Sequence, residues 1–291
     1  MENVHAVSVK YSCRCAVLTA VLLSLLLTVT TGCGGGAEPP FETDTYEQRA
    51  EEADEAFGWY IHQPKGIESV RIHRIELPGE WDRGFEELPV DVYYPPKFGF
   101  EKREPAVFVI AGSTKWSANI SLAGMLAAEE VTAVVIHSQA AGEKVGKAIE
   151  GVLEQADELF IDTERLAVWS EGHAVPPALG TMLDETYPHH SSFCCAVFVS
   201  PKMYIDNDKP LQYEEEDMTG DVPIFIAKAA NDDFYEINAS VKMFREAAER
   251  FGLEVTYRES PVGGHNWMVE EQDESAVEVI REAVEFLAGK L

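Results

Sequence analysis

Two kinds of hydrophobic pattern follow each other along the chain. Between 67 and 77, and again between 88 and 94, apolar and polar residues mostly alternate, which predicts half-buried antiparallel strands joined by a loop around Gly79. The later strands differ, because they are short, unbroken apolar runs of the kind found in parallel sheets that are buried on both faces. These runs cover 106–110, 133–136, 166–169, 195–199, 222–226 and 255–257.

Helical stretches separate the buried runs. They are predicted over 119–128, 143–158, 173–184, 237–251 and 273–289. In the last of them, Val277, Ile280, Val284 and Leu287 recur at steps of three or four residues, so they share one face of a helix. Strands that alternate with helices predict an α/β fold with a doubly wound, mainly parallel sheet, which here follows two antiparallel N-terminal strands.

The first 32 residues have the pattern of an export signal. Lys10 and Arg14 supply positive charge, and 16–31 is an apolar run without a charged residue. A run this short is typical of a signal-peptide core and is brief for a membrane span. The small residues before Cys33 resemble the lipobox of bacterial lipoproteins. This resemblance implies that Cys33 carries a lipid that anchors an exported protein to the bacterial cell envelope; an ordinary secretory signal or an uncleaved anchor is the alternative.

A spacer is predicted between this leader and the folded domain. Residues 33–55 are rich in glycine at first, then contain Pro39 and Pro40, and end in an acidic stretch. A chain of that composition is typical of a tether. The folded domain is therefore predicted to cover 56–291, a length that α/β folds often keep in one domain.

The charge of the chain excludes one class of partner. The 291 residues carry a formal net charge of −28. Binding to nucleic acid needs a basic surface that neutralises phosphates, so we expect no nucleic-acid partner. The same charge opposes adhesion to anionic lipid, so contact with a membrane is expected to come from the lipid anchor.

An aspartate and a histidine follow the last two predicted strands. Asp232 comes directly after the strand at 222–226, and His265 lies in a glycine-containing loop after the strand at 255–257. A carboxylate at Asp232 can accept one N–H of the histidine and hold its tautomer, while the imidazole acts as a general base. Asp233 could take the same role, although its spacing from the strand is less favourable.

The segment 161–174 contains the candidate nucleophile. It resembles the fifth strand and nucleophile elbow of the α/β-hydrolase superfamily, where a serine lies between small residues on a sharp strand-to-helix turn. Two alignments are open. With Ser170 as nucleophile, Val168 takes a position where the tight turn requires a small residue. With Gly172 at the elbow, the flanking residues are small and Pro176 falls in the first helical turn, where proline is tolerated.

Residues 65–291 as a whole resemble the α/β-hydrolase superfamily, and most of all its compact dienelactone-hydrolase-like members. The strand order and the loops around Asp232 and His265 carry this resemblance. It implies an α/β-hydrolase fold without a large lid, and it implies neither a metal nor an organic cofactor. It also implies an oxyanion hole made by the backbone N–H groups of Ser113 and His173.

Two functions follow from these observations. The first is a serine-type hydrolase of carboxylic esters with small or medium acyl groups, in which Ser170 attacks, His265 acts as base and acid, and Asp232 orients the histidine. The second is a catalytically silent hydrolase fold that binds a small ester or another ligand of the envelope, because the nucleophile position aligns with Gly172. The direction of the Ser170 side chain distinguishes the two.

Overall fold

Nine strands in the described part of the chain form one mixed sheet. The structure is a computed structural model that describes residues 39–52, 65–111, 116–137, 144–204, 222–270 and 273–291. The strands are β1 (Asp44–Thr45), β2 (Arg71–Pro78), β3 (Glu87–Tyr94), β4 (Glu104–Ala111), β5 (Thr132–His137), β6 (Ile161–Glu171), β7 (Phe193–Val199), β8 (Ile224–Ala229) and β9 (Val255–Ser260). Their order across the sheet is β1-β2-β3-β5-β4-β6-β7-β8-β9.

The sheet changes from antiparallel to parallel part-way across. Strands β1, β2, β3 and β5 pair antiparallel, whereas β4 pairs parallel with both β5 and β6, and β6 to β9 continue in parallel. The burial of the strands follows the same division, because β2 is only partly buried and β8 is buried at every position. The predicted order of antiparallel strands before a parallel sheet is confirmed.

Helices cover both faces of this sheet. They are α1 (Tyr46–Glu52), α2 (Trp116–Ala128), α3 (Val145–Leu153), α4 (Val175–Leu183), α5 (Tyr235–Phe251), α6 (Trp267–Glu270) and α7 (Glu274–Lys290). The apolar residues of α3, α4 and α5 pack into one core, and those of α1, α2, α6 and α7 pack into the core on the opposite face. The sheet is therefore doubly wound, as the pattern predicted. None of the helices in the described ranges is long and apolar enough to cross a membrane.

All five predicted helices are present, but their ends differ from the prediction by up to five residues. The helix predicted over 143–158 ends at Leu153, and turns carry the chain from there to β6. The helix predicted from 173 begins at Val175, because a single 3-10 turn, Gly172–Ala174, comes first. That turn lies where β6 ends, so it forms part of the site.

Residues 39–52 belong to the folded domain. In β1, Asp44 lies opposite Ile72 of β2. Tyr46 of α1 is buried, and the ring of Phe41 stacks on His73 with 4.0 Å between the ring centroids. The tether predicted over 33–55 was therefore wrong for this part of its length. Its acidic residues suggested a solvated spacer, but acidic side chains such as Glu47 lie on the exposed side of a short helix. The leader and Cys33 lie outside the described residues.

Gly124 of α2 is the residue that lets α1 approach. A methyl group added there would lie 2.4 Å from Cε2 of Tyr46. Gly124→Ala should displace α1 and lower the free energy of unfolding by about 1–3 kcal/mol, although alanine itself favours helices. Urea unfolding measures this change. Gly289→Ala in α7 is the matched control, because its added methyl group meets nothing within 4 Å. Equal effects of the two substitutions would contradict the close packing of α1 on α2.

Candidate active site

His265 and Asp232 meet at the C-terminal edge of the sheet. Asp232 follows β8 and His265 follows β9, and these strands are parallel neighbours. Nδ1 of His265 lies 3.2 Å from Oδ2 of Asp232, while Oδ1 of Asp232 accepts the backbone N–H of Phe234 at 3.0 Å. A carboxylate facing Nδ1 holds the proton on that nitrogen, so Nε2 is left as the basic nitrogen of the ring.

The loops that present this pair are held by local contacts. The side-chain amide of Asn238 donates to the backbone oxygen of Asp232 at 2.6 Å. Gly263 has φ +82°, a conformation that lets the loop turn before His265. On the other side, the hydroxyl of Ser200 donates to the backbone oxygen of His265 at 3.1 Å.

Ser200 and Phe234 are site residues that the sequence did not identify. Ser200 directly follows β7 and has φ +43°, a left-handed conformation that is uncommon outside glycine and is often found at functional sites. The ring of Phe234 lies 4.3 Å from that of His265 and remains half exposed. An aromatic residue two positions after the acid was the available signal for Phe234. Asp233, the alternative acid, is exposed. It lines the same surface cleft as His265, but the hydrogen bond of His265 is to Asp232.

The strand-to-helix turn after β6 has a glycine at its apex. Gly172 has φ +51°, and among the described residues, its two chain neighbours apart, nothing lies within 4 Å of the position that a Cβ atom would take. The residues that follow make one 3-10 turn and then enter α4, whose first turn contains Pro176. Of the two alignments, the structure therefore corresponds to the one that places Gly172 at the elbow.

Ser170 points into the sheet. It lies within β6 opposite Ile110 of β4, and its side chain is fully buried. Its Oγ donates to the backbone oxygen of Ile110 at 3.2 Å. A nucleophile has to reach both its base and the substrate, but no hydrogen bond within the described part of the chain joins Ser170 to His265. This direction opposes the role of nucleophile that the sequence suggested for Ser170.

Ser170→Ala tests this assignment. The substitution removes one buried hydrogen bond, so we expect the free energy of unfolding to fall by about 0.5–1.5 kcal/mol. Because the hydroxyl faces Ile110, we expect no change in reactivity towards a fluorophosphonate probe. Denaturation and mass spectrometry of the probe-treated protein measure the two quantities. A probe adduct that forms on the wild type and disappears in the variant would show that Ser170 is the nucleophile after all.

A cleft opens over Gly172. Its larger part has a volume of about 400 Å³ and its smaller part about 130 Å³, and both are lined by Gly172, His173 and His265. Phe234 and Ile237 add apolar surface to the larger part. Polar groups lie beside them, since Nζ of Lys202 is in the same wall and 2.8 Å from Oε2 of Glu236. The cleft therefore suits a small ligand with both apolar and polar groups.

The structure describes one of the two expected oxyanion donors and not the other. His173 directly follows the elbow and lines the cleft, which keeps its backbone N–H a candidate donor. Ser113 lies outside the described residues. In the described ranges, no group of three or more His, Cys, Asp or Glu side chains is arranged to hold a metal ion.

Comparison with known proteins identifies the fold. No family model and no curated protein matches the sequence. Among solved structures, vibralactone cyclase superposes with a TM-score of 0.65, covering 87% of this chain and 91% of that chain at 12% identity. A thermophilic esterase from Thermogutta terrifontis with butyrate bound superposes with a TM-score of 0.59 at 13% identity. The superposition covers 79% of this chain and 97% of the esterase. The chain has an α/β-hydrolase fold.

A dienelactone hydrolase structure from Klebsiella pneumoniae shares this α/β-hydrolase fold, with a TM-score of 0.57, coverages of 75% and 98%, and 15% identity. At such identities the likeness establishes the fold, and the activity has to be argued from the site. A closer relationship to dienelactone hydrolases stays a prediction. The expectation of no large lid depends on the connection between β7 and β8, of which 205–221 lie outside the described residues.

Proposed function

We propose that this domain binds a small carboxylic ester over Gly172 and forms no acyl-serine intermediate. The observation that carries the proposal is the elbow itself, where Gly172 at φ +51° has no side chain and the described residues beyond its chain neighbours leave the Cβ position free. Covalent catalysis in an α/β-hydrolase fold needs a nucleophilic side chain at that point, and glycine has none. Ser170, two residues earlier, has its hydroxyl bound to the backbone of Ile110.

The walls of the cleft support an ester as the ligand class. His173 and His265 offer polar groups, whereas Phe234 and Ile237 offer an apolar surface for an acyl chain. A volume of about 400 Å³ suits a small or medium acyl group. The Thermogutta esterase of the same fold holds butyrate, which makes a butyrate ester a reasonable first ligand.

Binding of ethyl butyrate to the full-length protein tests the proposal. Saturation-transfer NMR should detect binding to the wild type. Gly172→Asn should weaken it at least about tenfold, because asparagine tolerates the left-handed conformation and its side chain would occupy the ligand position over residue 172. Gly252→Asn is the matched control, since Gly252 is also left-handed, at φ +86°, and lies at the C-terminal end of α5.

Two results would contradict the proposal. One is equal binding by wild type and Gly172→Asn, which would place the ligand elsewhere. The other is a fluorophosphonate adduct on Ser170 of the wild type, which would restore the serine-hydrolase hypothesis.

The proposed place of action is the bacterial cell envelope, with Cys33 as the lipid anchor. The support is the leader over 1–32 and the small residues before Cys33. Expressed in a bacterium, the wild-type protein should incorporate a labelled fatty acid and sediment with membranes, whereas Cys33→Ala should lose the label. Cys15→Ala, inside the leader, is the matched control and should keep it. Equal labelling of wild type and Cys33→Ala would contradict the anchor.

A further inference from the structure

We infer that His265 and Asp232 form a general base that activates a water molecule over Gly172, so that the bound ester is hydrolysed in a single displacement. This inference rests on the proposed ester binding and adds an activity to it. It differs from acyl transfer through serine, because no bond forms between the protein and the acyl group.

The histidine is set up as a base. With Nδ1 facing Oδ2 of Asp232 at 3.2 Å, Nε2 is the nitrogen that can accept a proton. The His265 side chain is 30% exposed and lines both parts of the cleft, while the Asp232 side chain is fully buried. A buried carboxylate stabilises the imidazolium that forms when Nε2 takes a proton.

The glycine leaves room for the nucleophile to be water. Within the part of the chain that the structure describes, no residue other than its chain neighbours comes within 4 Å of the Cβ position at Gly172, and Gly172 lines the same cleft as His265. A water molecule needs about 30 Å³ and polar partners, which the imidazole and the ligand carbonyl supply. Such a water takes the place of the hydroxyl that this fold usually projects from its elbow.

The reaction balances without any further reagent. The water oxygen bonds to the ester carbonyl carbon while Nε2 of His265 takes one of its protons. The backbone N–H of His173, a residue that lines the cleft, would stabilise the oxyanion. The imidazolium then protonates the alkoxide oxygen as its bond to carbon breaks. One water is consumed, an acid and an alcohol leave, and the histidine is neutral again.

Turnover of p-nitrophenyl butyrate by the full-length protein tests the inference. We expect saturable hydrolysis with no burst of nitrophenol, and acid-quenched protein should carry no acyl group. His265→Ala, in an exposed loop, should abolish turnover, and Ser170→Ala should retain it.

Asp232→Asn is the sharpest variant. Its Oδ1 can still accept the Phe234 N–H, but the amide group facing Nδ1 now donates. The imidazole then carries its proton on Nε2 and cannot act as a base. We expect kcat to fall about 10³–10⁴-fold while KM changes little, whereas a merely structural role would raise KM or unfold the protein.

The outcomes separate this inference from the proposed function. If ethyl butyrate binds but hydrolysis does not depend on His265, the general base is refuted and ester binding stands. If ethyl butyrate does not bind, the proposed function fails as well. An acyl adduct on His265 or Ser170 after acid quench would replace the single displacement by a covalent route.

Discussion

Gly172→Ser is expected to make the protein reactive towards fluorophosphonates. The new Oγ would project from the apex of the elbow, where the described residues leave the Cβ position free, into the cleft that His265 also lines. With Asp232 holding Nδ1, the imidazole can remove the serine proton and activate the oxygen. We expect the labelling rate to rise by about 10³-fold or more over the wild type, since a triad serine contributes several orders of magnitude.

The substitution has a cost in stability. A serine at φ +51° lies in the left-handed region, which costs about 1–3 kcal/mol. The elbow serine of this fold sits in a similarly strained turn. A modest fall in the melting temperature should therefore accompany the gain in reactivity.

Three variants define the origin of the new reactivity. Gly172→Ser combined with His265→Ala should lose labelling, and the combination with Ser170→Ala should keep it. Gly252→Ser places a serine at another left-handed glycine, outside the cleft, and should remain unlabelled. A folded Gly172→Ser protein that does not react would mean that His265 cannot reach the elbow, and it would count against the proposed general base too.

Asp91→Ala is expected to lower the free energy of unfolding by about 3–5 kcal/mol. Asp91 on β3 is 2% exposed and accepts two hydrogen bonds from Arg74, each of 2.8 Å. This pairing raises the pKa of Arg74. Nη2 of Arg49 lies 3.6 Å from Oδ1 of Asp91 and 2.9 Å from Oδ2 of Asp44. Removing the carboxylate takes both of these hydrogen bonds from Arg74 and leaves Arg49 with Asp44 in place of two carboxylates.

Part of this cost comes from Arg49, which keeps Asp44 but loses the second carboxylate that faces its buried guanidinium. Its side chain is 6% exposed, whereas that of Arg74 is 32% exposed and can regain water. Urea unfolding followed by circular dichroism measures the change. Glu282→Ala is the control, because it removes an exposed partner of Arg258 and should cost no more than about 1 kcal/mol. If Asp91→Ala lowered the free energy of unfolding no more than Glu282→Ala does, the buried charges would not be what holds β1 and α1 to the sheet.

The amino-acid sequence by itself determined the sheet, the helices and the acid–histidine pair. Unbroken apolar runs identify strands buried on both faces, and helical periodicity places helices between them. Asp232 and His265 were predictable because each lies in the loop after a strand, and parallel neighbours end at one edge of a sheet. These signals lie in short segments of the sequence, so they can be recognised without knowledge of any long-range contact.

The tertiary structure alone decided the identity of the elbow residue. Ser170 and Gly172 lie two residues apart, and the sequence allows either to end the strand. The pairing of Ser170 with Ile110 keeps it in the sheet and turns its hydroxyl towards the backbone, so Gly172 becomes the apex. Which way a side chain points at a strand end depends on where the ladder stops, a property of two strands and not of one.

The N-terminal segment and the contacts of His265 were decided in the same way. Residues 39–52 fold because β1 pairs with β2 and because Gly124 leaves space for Tyr46. Neither feature can be recognised in the acidic segment alone. Ser200 and Phe234 reach His265 from 65 and 31 residues away along the chain. Contacts over such separations depend on the packing of whole elements, which hydrophobic patterning restricts to a few arrangements but does not select.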